Sequence, residues 1–374
     1  MTRPQIISLI LAAPLFFFLT KRMPWGIFLA TFGIAWAHFN FAWLPLLMAG
    51  TLVITKFVLE KKFAWKKILW TVGGVAFGWL LRPDPIGAAK LFYTQVLQQI
   101  VEKQGGLPLL FGTENLPIGS SALFQHFAVF LAVWLLAIGF WLYFIFRKNR
   151  VDSGGYWEGN DVFLSTALIL SAVFFLLTVT VARRAYDLWV IFGVLGIAVV
   201  FTYLFLNFRK TLLLQSAKLI IGAAFVFLFF YSGSKTVANL QKNVYSPTYL
   251  KEAALWLKDN SQPGDIVFNL HWPNFSPLFF WNQTNYYVGG LDPIFQYAHS
   301  PSLYWKFHYL ATDVVTQKTC GAIECTREML EDTHQALVND FKAKYVVLEK
   351  DENPAVNQFM GGDPRFEKKL ETKN

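Results

Sequence analysis

The stretch TVARRAYDLWVIFG, residues 180–193, sets two adjacent arginines and an aspartate between two long apolar runs. A guanidinium is costly to bring near hydrocarbon, so its position marks where a membrane boundary must fall. Outward from this point, apolar runs recur at roughly 5–20, 24–38, 41–59, 67–81, 122–146, 162–181, 187–207 and 212–232. Each approaches the length that crosses ~30 Å of hydrocarbon, the second and fourth being short. The 374-residue chain is 55% hydrophobic and only 15% charged, below the charge content of soluble domains. Its 18% of Phe, Trp and Tyr suits helices with aromatic ends at the lipid–water boundary. The expected fold is an α-helical polytopic membrane protein of about eight spans, followed by a C-terminal extracytoplasmic α/β domain.

Charge divides the chain in the same way. Residues 1–232 hold 19 Lys/Arg against 8 Asp/Glu, and residues 233–374 hold 14 against 16. The net charge of +9 therefore belongs to loops between spans, which argues against a nucleic-acid partner. The basic clusters are Lys21–Arg22, then Lys61, Lys62, Lys66 and Lys67, then Arg147, Lys148 and Arg150, then Arg209–Lys210. Eight spans put all four clusters on one side, which is then cytoplasmic. The opposite side receives Met1, the loop at 82–121, the turn at 182–186 and the tail from 233. Arg183 and Arg184 thus break the positive-inside tendency, and rule-breaking residues are candidates for function. The N-terminal run closes on Lys21–Arg22 where a small-residue cleavage site would be needed, so it reads as a retained span.

The domains expected are a transmembrane helical domain over 1–232, with its outer loop at 82–121, and a water-facing α/β domain over 233–374. In the tail, YLKEAALWLKDN (249–260) and REMLEDTHQALVNDF (327–341) show helical spacing. DIVFNL (265–270), NYYVGGLDP (285–293) and AKYVVLEK (343–350) read as strands, and the alternation predicts a small, mostly parallel sheet. In the outer loop, AAKLFYTQVLQQIVEK (88–103) has the pattern of an amphipathic helix that lies flat on the outer leaflet. A loop of this length either serves the function, as a lid or substrate wall, or only caps the bundle.

Residue chemistry nominates a short set of candidates. Arg82 ends one span and Arg183 and Arg184 end another, all on the outer face, where a guanidinium fork matches phosphate oxygens. Headgroup anchoring, with a local Arg183–Asp187 pair, explains the same residues and is favoured on residue types alone. Asp84, Glu114 and Asp187, with Glu102, are the acids from which a general acid or base must come. His38 and Asn40 either line a polar cavity or sit at a tight interfacial turn, the turn being favoured. His271, His299 and His308 are scattered, no metal-binding spacing exists, and no metal site is expected. Cys320 and Cys325 suit a small disulfide loop in an oxidising compartment, free thiols being the alternative. Asn282-Gln283-Thr284 fits a glycosylation sequon.

Three stretches carry a resemblance to a known class. GWLLRPDP ends a span in Arg-Pro before a long outer loop, RRAYDLWVIFGVLGIA opens a late span with a basic–x–x–Tyr pattern, and the tail contains LKDNSQPGDIVF, FFWNQTNYYVGGLDPIFQY and FKAKYVVLEK. Together they resemble the GT-C class of polytopic glycosyltransferases, near the protein mannosyltransferase and aminoarabinose-transferase-like group (family 39 in the broad sense). The resemblance implies a glycosyltransferase of hexosyl or pentosyl type in a bacterial plasma membrane. Its donor would be a polyprenyl-phosphate-linked sugar and its acceptor a glycan, lipid or protein on the outer face. Cofactors beyond that donor are not implied, and whether a divalent metal takes part is left open. Arg183, Arg184 and Tyr186 match the family's basic and aromatic residues near the lipid phosphate, and Arg82 is a second phosphate contact. Asp84, Glu114 and Asp187 then become candidates in the substrate loop. The chain departs from the class in lacking a first outer loop with a catalytic acid, and in lacking prolines after the basic–x–x–Tyr pattern. No catalytic base is therefore named, and the expectation is the C-terminal portion of a longer enzyme. The alternative is a non-catalytic membrane protein that binds glycan or carrier lipid in cell-envelope assembly. A transporter, whose polar helix breaks lie at mid-membrane, ranks last.

Overall fold

The computed structural model describes residues 4–21, 23–110, 112–148, 161–207, 246–290 and 292–372, with short helical pieces between 227 and 238. The chain divides into two compact units. One comprises residues 1–100 with 112–226, and the other 101–111 with 227–374. Residues 101–111 of the long loop thus group with the C-terminal unit.

The first unit is helical: α1 Pro4–Lys21, α2 Pro24–Ala37, α3 Trp43–Glu60, α4 Trp65–Leu80, α5 Pro85–Phe92, α6 Gln99–Gln104, α7 Ser120–Lys148, α8 Asp161–Thr180 and α9 Tyr186–Asn207. Among the described residues, four stretches are long and apolar enough to cross a membrane: Phe39–Glu60, Ser120–Phe146, Asp161–Thr180 and Arg183–Leu204. Shorter apolar helices occupy Ile6–Lys21 and Pro24–Ala37. These helices make the chain an integral membrane protein in contact with lipid. The eighth run, 212–232, lies outside the described residues except for Phe227, Phe230 and Tyr231, which are helical. Arg22, Arg150, Arg209 and Lys210 of the basic clusters also lie outside them.

Lipid tails are as apolar as leucine, so burial of apolar surface does little to hold such helices together. Close backbone approach does more. The parallel pair α2–α4 shows this. Thr71, Gly74 and Gly78 are buried on one face of α4. A methyl group added at Gly74 would sit 1.9 Å from Thr31 Oγ1, and one at Gly78 would sit 2.6 Å from the Phe32 carbonyl oxygen. Gly74 and Gly78 form a G-x-x-x-G pair in the sequence, the spacing that lets two backbones touch. On α9 the same device recurs, with Gly193 against Phe130 of α7 and Ser171 of α8, and Gly196 against Leu168 of α8. The fully buried Trp189 fills the middle of this unit, ringed by Phe127, Phe130, Trp134 and Phe175 at centroid distances of 4.9–5.6 Å.

A cation stands at each end of α4. Lys67 is buried and its ammonium donates to the carbonyl of Leu19, in the last turn of α1. At the other end Arg82 donates through Nη1 to the carbonyls of Ala35 (3.2 Å) and Trp36, in the last turn of α2. Both satisfy carbonyls that a helix end leaves open, and both oppose the negative end of a helix dipole. Lys67 is thus tied to a helix end, unlike a lysine of an open headgroup cluster.

The C-terminal unit is α/β. Its elements are α10 Lys251–Asn260, β1 Ile266–Asn269, α11 Phe275–Trp281, β2 Tyr286–Val288, α12 Pro293–His299, α13 Pro301–Ala311, β3 Lys318–Thr319, β4 Glu331–Asp332, α14 Thr333–Gln335, β5 Ala343–Val347 and α15 Pro354–Gly362. Three strands form a parallel sheet in the order β2-β1-β5, in register Phe268↔Val288 and Phe268↔Val346. The central strand is buried on both faces, with Val267 and Phe268 fully enclosed, as a covered parallel sheet requires. Each such side chain contributes about 1.5–3 kcal/mol on leaving water. The turn before β1 is made by Gly264 at φ +86°, a left-handed conformation suited to glycine, and by Asp265 Oδ2 accepting from the Gln262 amide at 2.9 Å.

One tail segment departs from its pattern. Helix is expected over 327–341, yet residues 331–332 pair antiparallel with 318–319, and the α-helix starts only at Thr333. Two side chains explain the break. Glu331 meets the buried Lys306 ammonium at 2.6 Å, and Asp332 caps the following helix by accepting from the Gln335 amide at 2.9 Å. The sulfurs of Cys320 and Cys325 are joined, five positions apart. The Asn282 sequon is a further correction. Its side chain is fully buried, accepts from the Thr284 amide (3.0 Å) and hydroxyl (2.7 Å), and donates to Asn285 (2.5 Å). It builds a turn and offers no amide to a glycan.

Candidate functional site

Some of the sequence-nominated residues of the membrane unit are brought together at one end of its helices. Two turns are stitched together there. The helical turn Thr113–Asn115 packs on the turn Arg183–Ala185. The Arg183 amide donates to the Leu116 carbonyl at 2.7 Å, and the Ile118 amide to the Thr178 carbonyl at 3.1 Å. Across this seam Arg184 Nη2 meets Glu114 Oε1 at 2.6 Å. The acid that Arg184 finds is thus Glu114, from the long loop.

Each arginine has a different employment. Arg82 is engaged with the α2 carbonyls and Arg184 with Glu114. Arg183 Nε is buried and finds no hydrogen-bond partner among the described residues. A buried donor left in this state costs about 1–3 kcal/mol, so it either stores strain or awaits a ligand.

His38 and Asn40 lie in the link between α2 and α3, beside the carbonyls that Arg82 caps. The His38 amide closes α2 by donating to Ile34 at 2.9 Å. Its Nδ1 is buried without a partner among the described residues, as is Asn40 Oδ1, while Asn40 Nδ2 donates to Gln95 Oε1. Burial holds the His38 imidazole below its usual range, and the nearby Arg82 and Arg184 charges push it further down. It is therefore neutral at pH 7, and both guanidinium groups lie within electrostatic reach of it. Three of the nine buried polar side-chain atoms without partners among the described residues, on Arg183, His38 and Asn40, belong to this end of the unit.

The remaining candidates divide. Asp84 is exposed and caps α5, accepting from the Gly87 amide at 2.7 Å. Tyr186 is half-buried, its ring 5.3 Å from that of Phe127, so it belongs to the aromatic packing around Trp189. Asp187 is half-buried in the first turn of α9, where a negative charge suits the helix dipole, and the Arg184 charge reaches it. The long loop is helical over 85–104, with Leu91, Leu97, Ile100 and Val101 exposed on it. Sequence reasoning missed Gln95, whose bond to Asn40 ties this loop helix to the α2–α3 link. A glutamine in an amphipathic repeat gives no signal of such a role. No group of three His, Cys, Asp or Glu side chains is placed to hold a metal ion among the described residues.

Chemically, this end of the helices carries three separate unpartnered groups among the described residues: the Arg183 N–H donor, the His38 imidazole nitrogen and the Asn40 amide oxygen. That set suits a phosphate oxygen next to a hydroxyl-bearing group. No protein-family model and no curated protein matches this chain.

Proposed function

We propose that this chain acts as a membrane glycosyltransferase that takes a sugar from a polyprenyl-phosphate donor and passes it to an acceptor on the outer face. One observation carries the reading: Arg183 Nε is buried without a partner among the described residues, next in the chain to Arg184, whose charge, with that of Arg82, reaches His38. On this reading the chain has about eight spans in a bacterial plasma membrane, its basic loops face the cytoplasm, and the C-terminal unit is extracytoplasmic. In the transfer, an acceptor hydroxyl oxygen attacks the sugar C1 as the bond from C1 to the phosphate oxygen breaks. The phosphate leaves with that electron pair, and the hydroxyl proton passes to a base. Fixed cations stabilise the charge that grows on the phosphate. Arg183 is the cation with an open donor, while Arg82 and Arg184 add field from positions fixed by their own partners.

A second reading, a protein that binds carrier lipid or glycan without catalysis, is favoured by the employment of the acids. Asp84 caps a helix and Glu114 is paired with Arg184, which leaves Asp187 among the three substrate-loop candidates. Proteoliposomes holding the full chain and a labelled polyprenyl-phosphate hexose separate the two. Release of polyprenyl phosphate with transfer of label supports the enzyme, binding without release supports the binder, and absence of both refutes the phosphate reading altogether.

A further inference from the structure

The C-terminal unit holds an open cleft of about 530 Å³ that the lipid-phosphate reading does not use. Its floor follows from local geometry. The chain leaves β2 through Gly289 at φ +80°, a left-handed turn, and then passes Gly290. A methyl group at Gly290 would lie 3.0 Å from the Phe275 ring, so the bare backbone lets that ring lie flat against the turn. Phe275 stacks on Phe279 at 5.2 Å and 26°, and meets Tyr287 edge-on at 5.9 Å. Tyr286, on the same edge strand, is 70% exposed and Phe279 41%. Large aromatic rings held open to solvent in a concave site are unusual unless something covers them.

The polar lining is sparse. Gln296 and His299 come from α12, and Asn285 from the start of β2, while no Lys, Arg, Asp or Glu lines the cleft. Gln296 Oε1 has no hydrogen-bond partner among the described residues, and the broad torsion of a terminal amide lets it turn toward a ligand. Burial pushes the Tyr287 phenol up to about 12, so it stays neutral. An ionic ligand would find no Lys, Arg, Asp or Glu counter-charge among these lining residues, and a pure hydrocarbon would leave the amide and imidazole unpaired. A sugar ring answers both conditions. Its C–H face lies on aromatic rings, and its hydroxyls give and take hydrogen bonds with amide, imidazole and phenol. We propose that this cleft binds a neutral saccharide, its apolar face on Phe279 and Tyr286 and its hydroxyls on Gln296 and His299.

The inference does not depend on the lipid-phosphate reading, and its test uses no donor lipid. Full chain in nanodiscs is titrated with methyl α-glucopyranoside, methyl α-mannopyranoside, N-acetylglucosamine and maltotriose, followed by saturation-transfer NMR. At least one probe is expected to bind saturably. Tyr286→Ala should weaken that binding about tenfold, the loss of one stacked ring, at unchanged thermal stability because the ring is exposed. Gln296→Met, which keeps the shape and removes the amide, should weaken it as well. Saturable binding that survives both substitutions unchanged overturns the proposal, as does failure of all four probes to bind. Displacement of a bound sugar by octane, with Gln296→Met indifferent, would show a hydrocarbon cleft and overturn it too.

Discussion

Arg183→Gln isolates the donor on which the phosphate reading turns. The substitution keeps a polar side chain at the seam, leaves the backbone bond to Leu116 in place and removes the charge. If Arg183 donates to a phosphate oxygen, a charge-assisted hydrogen bond worth roughly 1.5–3 kcal/mol is lost. That is a drop of about ten- to a hundredfold in affinity. Arg184→Gln is the matched control. Its ion pair to Glu114 joins side chains that are 30% and 42% exposed, so screening limits it to about 0.2–1 kcal/mol. Affinity should then fall by about fivefold at most. The assay is a titration of polyprenyl phosphate into nanodiscs holding each full-length variant, read by native mass spectrometry. Binding within twofold of the parent for Arg183→Gln, or a larger loss for Arg184→Gln, would refute the division of labour among the arginines.

Gly78→Leu should drive α4 away from α2, because the first added carbon already meets the Phe32 carbonyl at 2.6 Å. The unfolding temperature in detergent should fall, and Arg82 should lose its α2 carbonyls, whereas Gly50→Leu, in open space on α3, should change neither. Arg365 holds Asp363 down to about 2 and Asp332 below its usual range, through side-chain hydrogen bonds first. Folded values below the unfolded one make this support present above about pH 4 and lost as pH falls toward 2, so Arg365→Gln should flatten acid unfolding of the C-terminal unit in that window. Expression in a glycosylating host should add no glycan at Asn282, and an endoglycosidase-sensitive shift in mass would contradict its burial.

Much of the architecture is legible because period and length carry it. The apolar runs around α3, α7, α8 and α9 need only a hydropathy count, DIVFNL announces a buried strand by its run of apolar residues, and AKYVVLEK reads as a strand from its β-branched and aromatic content. The arginines of residues 183–184 are visible for a similar reason, since charge at the end of a long apolar run has few ordinary explanations. Their partners are not visible. Glu114 lies 70 positions from Arg184, and nothing in the spacing selects it over Asp187, one turn away. Asn40 and Gln95 are 55 positions apart, and their pairing exists only because the loop helix meets the α2–α3 link. Segment 327–332 misleads because helical spacing over a short window cannot register that Glu331 is held by the buried Lys306. The aromatic cleft is hidden in the same way: Phe275 and Gly290 share it only after β2 is laid beside β1.

The most direct test of the phosphate-binding claim is native mass spectrometry of lipids that stay with the full chain when it is lifted from membranes. A polyprenyl phosphate, with or without its sugar, should accompany the parent protein and be depleted in Arg183→Gln. Only ordinary phospholipid in both samples, or equal retention of the polyprenyl species, would contradict it.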